Sequence, residues 1–366
     1  MDFTYDEDLV AVRDLARQIF TDRATTDRVR EVEASATHID EELWQQLASA
    51  GLLGLALPES YGGAGLEPAA LCVVLEEQGR TVAPVPLWSA GVSSLAVASF
   101  GSHGQRDALL AGAADGSMRL TLALEEFDGA APASPRCAAV RTGEGWSLTG
   151  TKAVVPSPTG ASHVLVSATS VEGPAMFLIP ADGDGIVWEQ TKTTTHDLAG
   201  HLTLTGAVAE QLGDGETLAA VLRVAAAALA AVQVGVADGA LRLAATYLST
   251  REQFGRPLAT FQSAQHQLAD CWIDIDAMRV TLWQALASLD EPEAARAALV
   301  AKWWCDQAGL DVVHRAMHLH GGIGVDVDYP VHRNFLWGKQ IASTLGGSAA
   351  ALADLGAVLA REEVAS

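Results

Sequence analysis

The stretch Arg251-Glu252-Gln253-Phe254-Gly255-Arg256-Pro257, followed by Gln262, closes the longest helical pattern in the chain. From about Thr217 to Thr250, Ala and Leu recur at a spacing that one helix can bury, and Gly255 and Pro257 stop that helix. An Arg at a helix exit beside an aromatic ring suits a phosphate and an adenine-like plane: the guanidinium is a bidentate fork and the ring a stacking face. The plain alternative is an ordinary helix end with a surface Arg, and this stretch alone does not decide between them.

Downstream, the helical pattern runs to His318-Leu319-His320-Gly321-Gly322-Ile323-Gly324, then Tyr329-Pro330-Val331-His332-Arg333. Adjacent glycines let a ligand approach backbone N–H groups, which can hold pyrophosphate oxygens. This is not a Rossmann fingerprint: no strand precedes it and the G-x-G-x-x-G spacing is absent. Upstream, between residues 118 and about 212, short β-prone runs appear: Arg119–Leu124, Trp146–Leu148, Val164–Ser167, Met176–Ile179, Ile186–Trp188 and Leu202–Leu204. Gly, Pro, Asp and Thr separate them at hairpin spacing, which predicts a compact antiparallel barrel or sandwich. The first 117 residues return to apolar spacings of three and four, as in Leu9, Val12 and Leu15–Ala16, then Leu43, Leu47 and Leu52–Leu53. The turn Gly62-Gly63-Ala64-Gly65 punctuates them after Pro58. The fold class is α+β in the order α, β, α: an N-terminal helical domain (1–117), a middle β domain (118–215) and a C-terminal four-helix bundle (216–366). A β insert between helical segments implies that the helical parts share one core. Residues 129–135 (GAAPASP) are expected to form a mobile loop.

Composition narrows the function. Of 366 residues, 49% are hydrophobic, enough for a large core, and 45 acidic against 23 basic residues give a net charge of −22. Such a chain is unsuited to wrapping nucleic acid or an anionic membrane, so any polyanionic ligand must meet a local positive spot. Cys72, Cys137, Cys271 and Cys305 form no C-x-x-C pair, which suits a reducing cytosol. The acidic N-terminus MDFTYDEDLVAV lacks the form of a signal peptide. The longest apolar run, Val224 to Ala237, falls short of the ~20 residues a membrane span needs. A cytoplasmic protein is expected. His314 and His318 lie one helical turn apart, but Arg315 rules out H-E-x-x-H logic, so no metal is expected. Trp283, Trp303, Trp304 and Trp337 fall on helical segments and read as core or interface packing.

Taken together, the chain resembles the flavin-dependent acyl-CoA dehydrogenase family. LPESYGGAG (57–65), GWSLTGTK (145–152), REQFGRP with Gln262, and HLHGGIG with YPVHR are similar to its signatures, in order and over essentially the whole length. The resemblance implies an FAD whose ADP half is clamped, across a subunit interface, by Arg251, Phe254, Gln262, His318, Gly321 and Gly322. His318 stands where the family often has Gln; an imidazole still donates a hydrogen bond.

The departures carry as much meaning. The family removes the α-proton of an acyl-CoA with a Glu. In most members it lies in a Tyr-Glu-Gly-Thr stretch, which reads Thr344-Leu345-Gly346-Gly347-Ser348 here, with Gly346 in place of the base. A minority place the Glu on the long helix, where Ala225 stands, and no Asp or Glu lies between Glu216 and Asp238. A positioned base is worth ~10²–10⁴-fold. The elements that serve the flavin ring also depart, becoming Glu125-Glu126-Phe127, Asp128-Gly129-Ala130 and Val154-Val155-Pro156, and Pro156 has no N–H to donate. What serves a neighbour's site is kept, and what serves the chain's own site is lost. This resembles the non-basic chain of the paired actinobacterial dehydrogenases of steroid side-chain degradation. The resemblance implies a heterotetramer with a Glu-bearing homologue, an acyl-CoA substrate and an electron-transfer flavoprotein as electron acceptor. Two other readings stay open: a self-sufficient dehydrogenase using Glu125 or Glu126, which otherwise read as a strand end facing solvent, and a non-enzymatic scaffold on the same fold.

Overall fold

The computed structural model describes residues 5–129, 131–143 and 145–365; the expectations that touch Ala130 and the first four residues lie outside them. Six helices come first: α1 (Glu7–Arg23), α2 (Thr26–Glu33), α3 (Glu41–Ser49), α4 (Pro68–Thr81), α5 (Leu87–Phe100) and α6 (His103–Ala114). Their starts are written in the sequence. Asp6 and Asp40 accept from the amides of Leu9 and Leu43, and Ser102 with Gln105 forms a reciprocal capping box on α6. Each satisfies an amide that a helix N-terminus leaves orphaned.

Seven strands follow: β1 (Arg119–Ala123), β2 (Ala138–Thr142), β3 (Gly145–Pro156), β4 (Ala161–Ser170), β5 (Gly173–Pro180), β6 (Ile186–Lys192) and β7 (Leu198–Gly213). They pair in the order β1-β4-β2-β3-β7-β5, and β5 pairs back to β4, so five strands close a ring. β1 lies beside β4, and β6 flanks the long β7. The expected barrel forms, but it is not wholly antiparallel: β1 and β2 both run parallel to β4. Its interior is filled by alternating apolar residues such as Leu148, Val164, Val166, Phe177, Ile179 and Leu202, the period of two that a strand with one buried face requires.

The helical pattern then resumes with α7 (Gly215–Thr250), which starts where the sequence places it. A hairpin of β8 (Glu252–Gln253) and β9 (Arg256–Pro257) precedes α8 (Gln262–Ala287), α9 (Ala294–His320), α10 (Val331–Ser343) and α11 (Gly347–Ala365). α8, α10 and α11 all pack on α9. α7 is longer than its apolar run suggested and is apolar enough to cross a membrane, but 72% of its most apolar window is buried inside the protein. The segment Val331–Glu362 meets the same length and composition test. The apolar run read from the sequence, Val224 to Ala237, is bounded by the charges Arg223 and Asp238, whereas a long apolar helix can carry one or two charged residues.

The chain divides into two compact units that do not follow chain order. One gathers residues 1–30, 72–83 and 226–366, so α1 and most of α4 lie in one unit with the C-terminal helices, whereas α3, α5 and α6 do not, and the expected sharing of one core by the helical parts holds only in part. The other gathers residues 31–71 and 84–225, with α5 lying along β1 of the barrel.

Candidate functional site

Arg251 follows the last turn of α7, its amide donating to the Tyr247 carbonyl at 2.8 Å. The helix stops as Gly255 and Pro257 predict, but through a feature the sequence did not announce. β8 and β9 pair as Glu252 with Pro257 and Gln253 with Arg256, leaving Phe254 and Gly255 as a two-residue turn. Both have positive φ, 57° and 76°, as a type I′ hairpin requires. The turn thrusts the Phe254 ring outward, where it is 90% exposed. Arg256 covers the ring of Phe261 at 4.1 Å, and Phe261 precedes Gln262, the exposed first residue of α8.

The second motif ends α9. His318 points outward, whereas His320, two residues on, is buried. The His320 ring stacks on Tyr247 at 4.9 Å and meets Tyr329 at 5.2 Å. This aromatic stack ties the end of α7, which carries Arg251, to the end of α9, which carries the glycines. Burial holds the His320 imidazole below its usual pKa despite its 2.7 Å hydrogen bond to the Ala316 carbonyl. It stays neutral, with no charge in the stack. Gly321 has φ 64° and ψ −141°, a region essentially closed to other residues. A side chain at Gly321 or Gly322 would meet open space, and both are exposed. All six residues implicated by sequence, Arg251, Phe254, Gln262, His318, Gly321 and Gly322, therefore lie on the chain's surface. His314 packs edge-on against Phe335 at 4.8 Å.

The two positions at which the resemblance implies a base differ in kind. Ala225 is fully buried on α7. Gly346 lies in a break between α10 and α11 where Leu345, Gly346 and Gly347 all have positive φ. A side chain at 346 would be strained there, and its Cβ would press on the Ala350 methyl.

Glu126 corrects the sequence reading: it does not face solvent. Its carboxylate accepts from the amides of Arg136 at 2.7 Å and Cys137 at 3.0 Å, and from Lys152 Nζ at 2.6 Å. Lys152, the last residue of GWSLTGTK, is fully buried and also donates to Ser167 Oγ at 2.9 Å. Burial raises the Glu126 pKa, but Lys152 and the two amides outweigh it and hold the carboxyl below its ordinary range. That is the state of an ion-pair partner, not of a base poised near neutrality. Nearby, Val154 has a positive φ of 48°, an outlier for a β-branched residue, and its amide donates to His201 Nδ1 at 3.2 Å. Phe127 meets the His201 ring edge-on at 4.9 Å. No sequence signal marks this His201 contact, which joins residues 47 apart.

Comparison with known proteins agrees with this layout. Residues 6–117 match the acyl-CoA dehydrogenase N-terminal domain, and residues 213–358 match the acyl-CoA dehydrogenase C-terminal domain. The chain belongs to the acyl-CoA dehydrogenase family. It is 36% identical to the acyl-CoA dehydrogenase FadE27 of Mycobacterium tuberculosis, over 98% of this chain and 99% of that protein. Among solved structures, a variant of the Tcur3481-Tcur3483 steroid ACAD is similar at 60% identity and a TM-score of 0.96, covering 98% of this chain and 99% of its own. The ChsE4-ChsE5 complex from Mycobacterium tuberculosis is similar at 35% identity and a TM-score of 0.94, with the same coverage. This member of the family thus shares its fold with relatives along nearly the whole chain.

Proposed function

We propose that this chain is the subunit of a heteromeric, FAD-dependent acyl-CoA dehydrogenase that lacks the catalytic Glu and completes a partner's FAD site. One observation carries the reading: the six clamp residues are all surface-exposed, while the base positions hold a buried Ala225 and a backbone-constrained Gly346. The exposed guanidinium of Arg251, the outward Phe254 ring and the bare glycine backbone fit the ADP half of FAD. Arg251 would fork onto a phosphate, Phe254 would offer a flat face, and the amides of Gly321 and Gly322 would meet oxygens without side-chain obstruction. Bound FAD supplies the two-electron acceptor for the hydride that leaves the β-carbon of the thioester. The α-proton goes to the partner's Glu, since this chain offers no free carboxylate at either base position.

The partner is a Glu-bearing homologue, arranged with this chain as a heterotetramer in the cytoplasm. Exposed apolar residues on α8 (Trp272, Ile273, Val280) and α11 (Leu352, Leu359) provide surface for such an assembly. The similar proteins described as a steroid ACAD and as a two-component complex favour a steroid or other bulky acyl-CoA. An electron-transfer flavoprotein then reoxidises the assembly. The domain limits in this reading are 1–117, 118–215 and 216–366. The test is to purify the chain alone and together with its Glu-bearing homologue, then measure flavin absorbance and acyl-CoA-dependent dye reduction. Flavin and turnover are expected only in the pair. Full flavin occupancy with turnover in the lone chain would overturn the proposal.

A further inference from the structure

The YPVHR motif contains a part the clamp does not use. Arg333 is buried, and it lines a cavity of about 240 Å³ bounded also by Thr26 at the start of α2, Arg80 and Thr81 at the end of α4, Arg242 on α7 and Asn334 on α10. None of the residues lining this cavity is Asp or Glu, although the chain has about twice as many acids as bases. The carboxylates stand behind the wall. Arg80 is held by Glu76 and Glu77 at 3.1 Å and by Asp238, and Arg242 Nε donates to Asp238 at 2.6 Å. Arg17 pairs with Glu77 and Arg279 with Glu76, both at 2.8 Å. Four guanidinium groups thus share three carboxylates in this network, with Asp14 acting also on Arg17 and Asp276 on Arg279.

Arg242 is the adaptable member. Only its Nε is engaged in the network, its side chain is 64% exposed, and it lines the cavity, so its two terminal nitrogens have donors to offer. The Thr26 hydroxyl lies on the same wall. Arg80 has its guanidinium taken up by carboxylates, and apolar residues such as Val29 and Leu243 complete the wall, but a guanidinium, hydroxyls and an amide on one side of a small space are donors that a tetrahedral, doubly charged oxyanion takes. The partial positive charge at the start of α2 adds to it. At −22 the whole chain repels anions, so only such a local concentration of donors would hold one.

We propose that this cavity binds a phosphate-type dianion, either free or carried as a small phosphomonoester. The cavity uses none of the clamp residues, so the proposal stands apart from the assembly reading above. The test is calorimetric titration of the full chain with inorganic phosphate and with glycerol 3-phosphate, at ionic strength matched with sodium chloride. Saturable binding is expected for at least one of them. Tighter phosphate identifies the free anion as the ligand, and tighter glycerol 3-phosphate identifies the monoester. Arg242→Gln should weaken binding about 10- to 100-fold, the worth of one charge-assisted hydrogen bond, and Arg242→Glu should abolish it. Arg242→Lys, which keeps the charge but not the fork, should fall between wild type and Arg242→Gln. Urea unfolding of each variant reports whether it is folded, and Asp238 retains Arg80 in all of them. Failure of both probes to saturate, or unchanged affinity in folded Arg242→Gln and Arg242→Glu, would overturn the proposal.

Discussion

Replacing Glu126 with Gln tests the buried ion pair at the heart of the β barrel. The substitution keeps one carbonyl oxygen, enough for the amide of Arg136 or that of Cys137 but not both, since they donate to different carboxylate oxygens, and it leaves Lys152, with no exposed side-chain surface, beside a neutral group. Breaking a buried pair by removing one partner costs about 3–5 kcal/mol, because the remaining charge has lost its compensation. Burial already draws the Lys152 pKa down, with the Glu126 hydrogen bond pushing it back; without Glu126 the amine would shed its proton or the barrel would loosen. Urea unfolding followed by tryptophan fluorescence reads this, since Trp146 packs edge-on to Phe177 at 5.2 Å in the same core. The double variant Glu126→Gln/Lys152→Met removes both charges and should recover at least about 2 kcal/mol of the loss, as apolar replacement of buried pairs generally does. The pH dependence has a fixed sign. The folded-state pKa of Glu126 is depressed, so its contribution is fully present above the ordinary carboxylate range and is lost as pH falls through the folded value. Wild type and Glu126→Gln should therefore converge in acid. A single-variant cost below about 1 kcal/mol, or a double variant no more stable than the single, would refute the reasoning.

Tyr247→Ala should lower flavin retention in the assembly while leaving each subunit folded, because it removes the face on which His320 stacks; flavin content per heteromer after gel filtration checks it. Arg251→Ala should do the same through direct loss of the guanidinium, and unchanged flavin content would remove Arg251 from the clamp. Asp197, at the tip of the β6–β7 hairpin, is half-buried as a residue, and desolvation of its carboxyl raises the pKa to about 6 against the Thr195 hydrogen bond. A raised acid stabilises the fold fully below its unfolded value near 3.8 and loses that contribution as pH rises through about 6. Asp197→Asn should therefore add about 1–3 kcal/mol near pH 7 and flatten the slope of stability between about pH 4 and 6, measured by denaturant titration across pH. Gly235→Ala should destabilise by about 1–3 kcal/mol or more, because its Cβ would collide with the Glu76 carbonyl where α7 meets α4; thermal unfolding reads this directly.

The elements best written in the sequence are those with a local cause. α7 ends where Gly255 and Pro257 say it should, and the Ser102–Gln105 box announces α6. β2 escaped notice because only Ala139 of its five residues is buried, so it shows no alternation to read. The parallel pairing of β1 and β2 with β4 is set by residues far apart in the chain, and spacing carries no record of strand direction. The same applies to Glu126 and Lys152, 26 residues apart, whose partnership turned an apparent surface acid into a buried one. The contrast between His318 and His320 was within reach. Val312, Val313 and Ala316 mark the buried face of α9, and His320 follows Ala316 by one helical turn while His318 does not. The residues proposed for the clamp come from the family resemblance, and the positive-φ hairpin that presents Phe254 leaves no periodic trace.

The four native thiols, Cys72, Cys137, Cys271 and Cys305, are all buried, and burial pushes the pKa of Cys72 to about 12 and those of Cys137 and Cys271 to about 11. Thiolate, the nucleophilic form, is scarce in all of them. A single cysteine introduced on the outer face, at Phe254 or His318 for instance, would then be the one position that a maleimide probe modifies in the folded chain. The molecule comes ready for site-selective fluorophores or spin labels, with no background to remove, and the approach of a second subunit to that face becomes something a spectrometer can follow in real time.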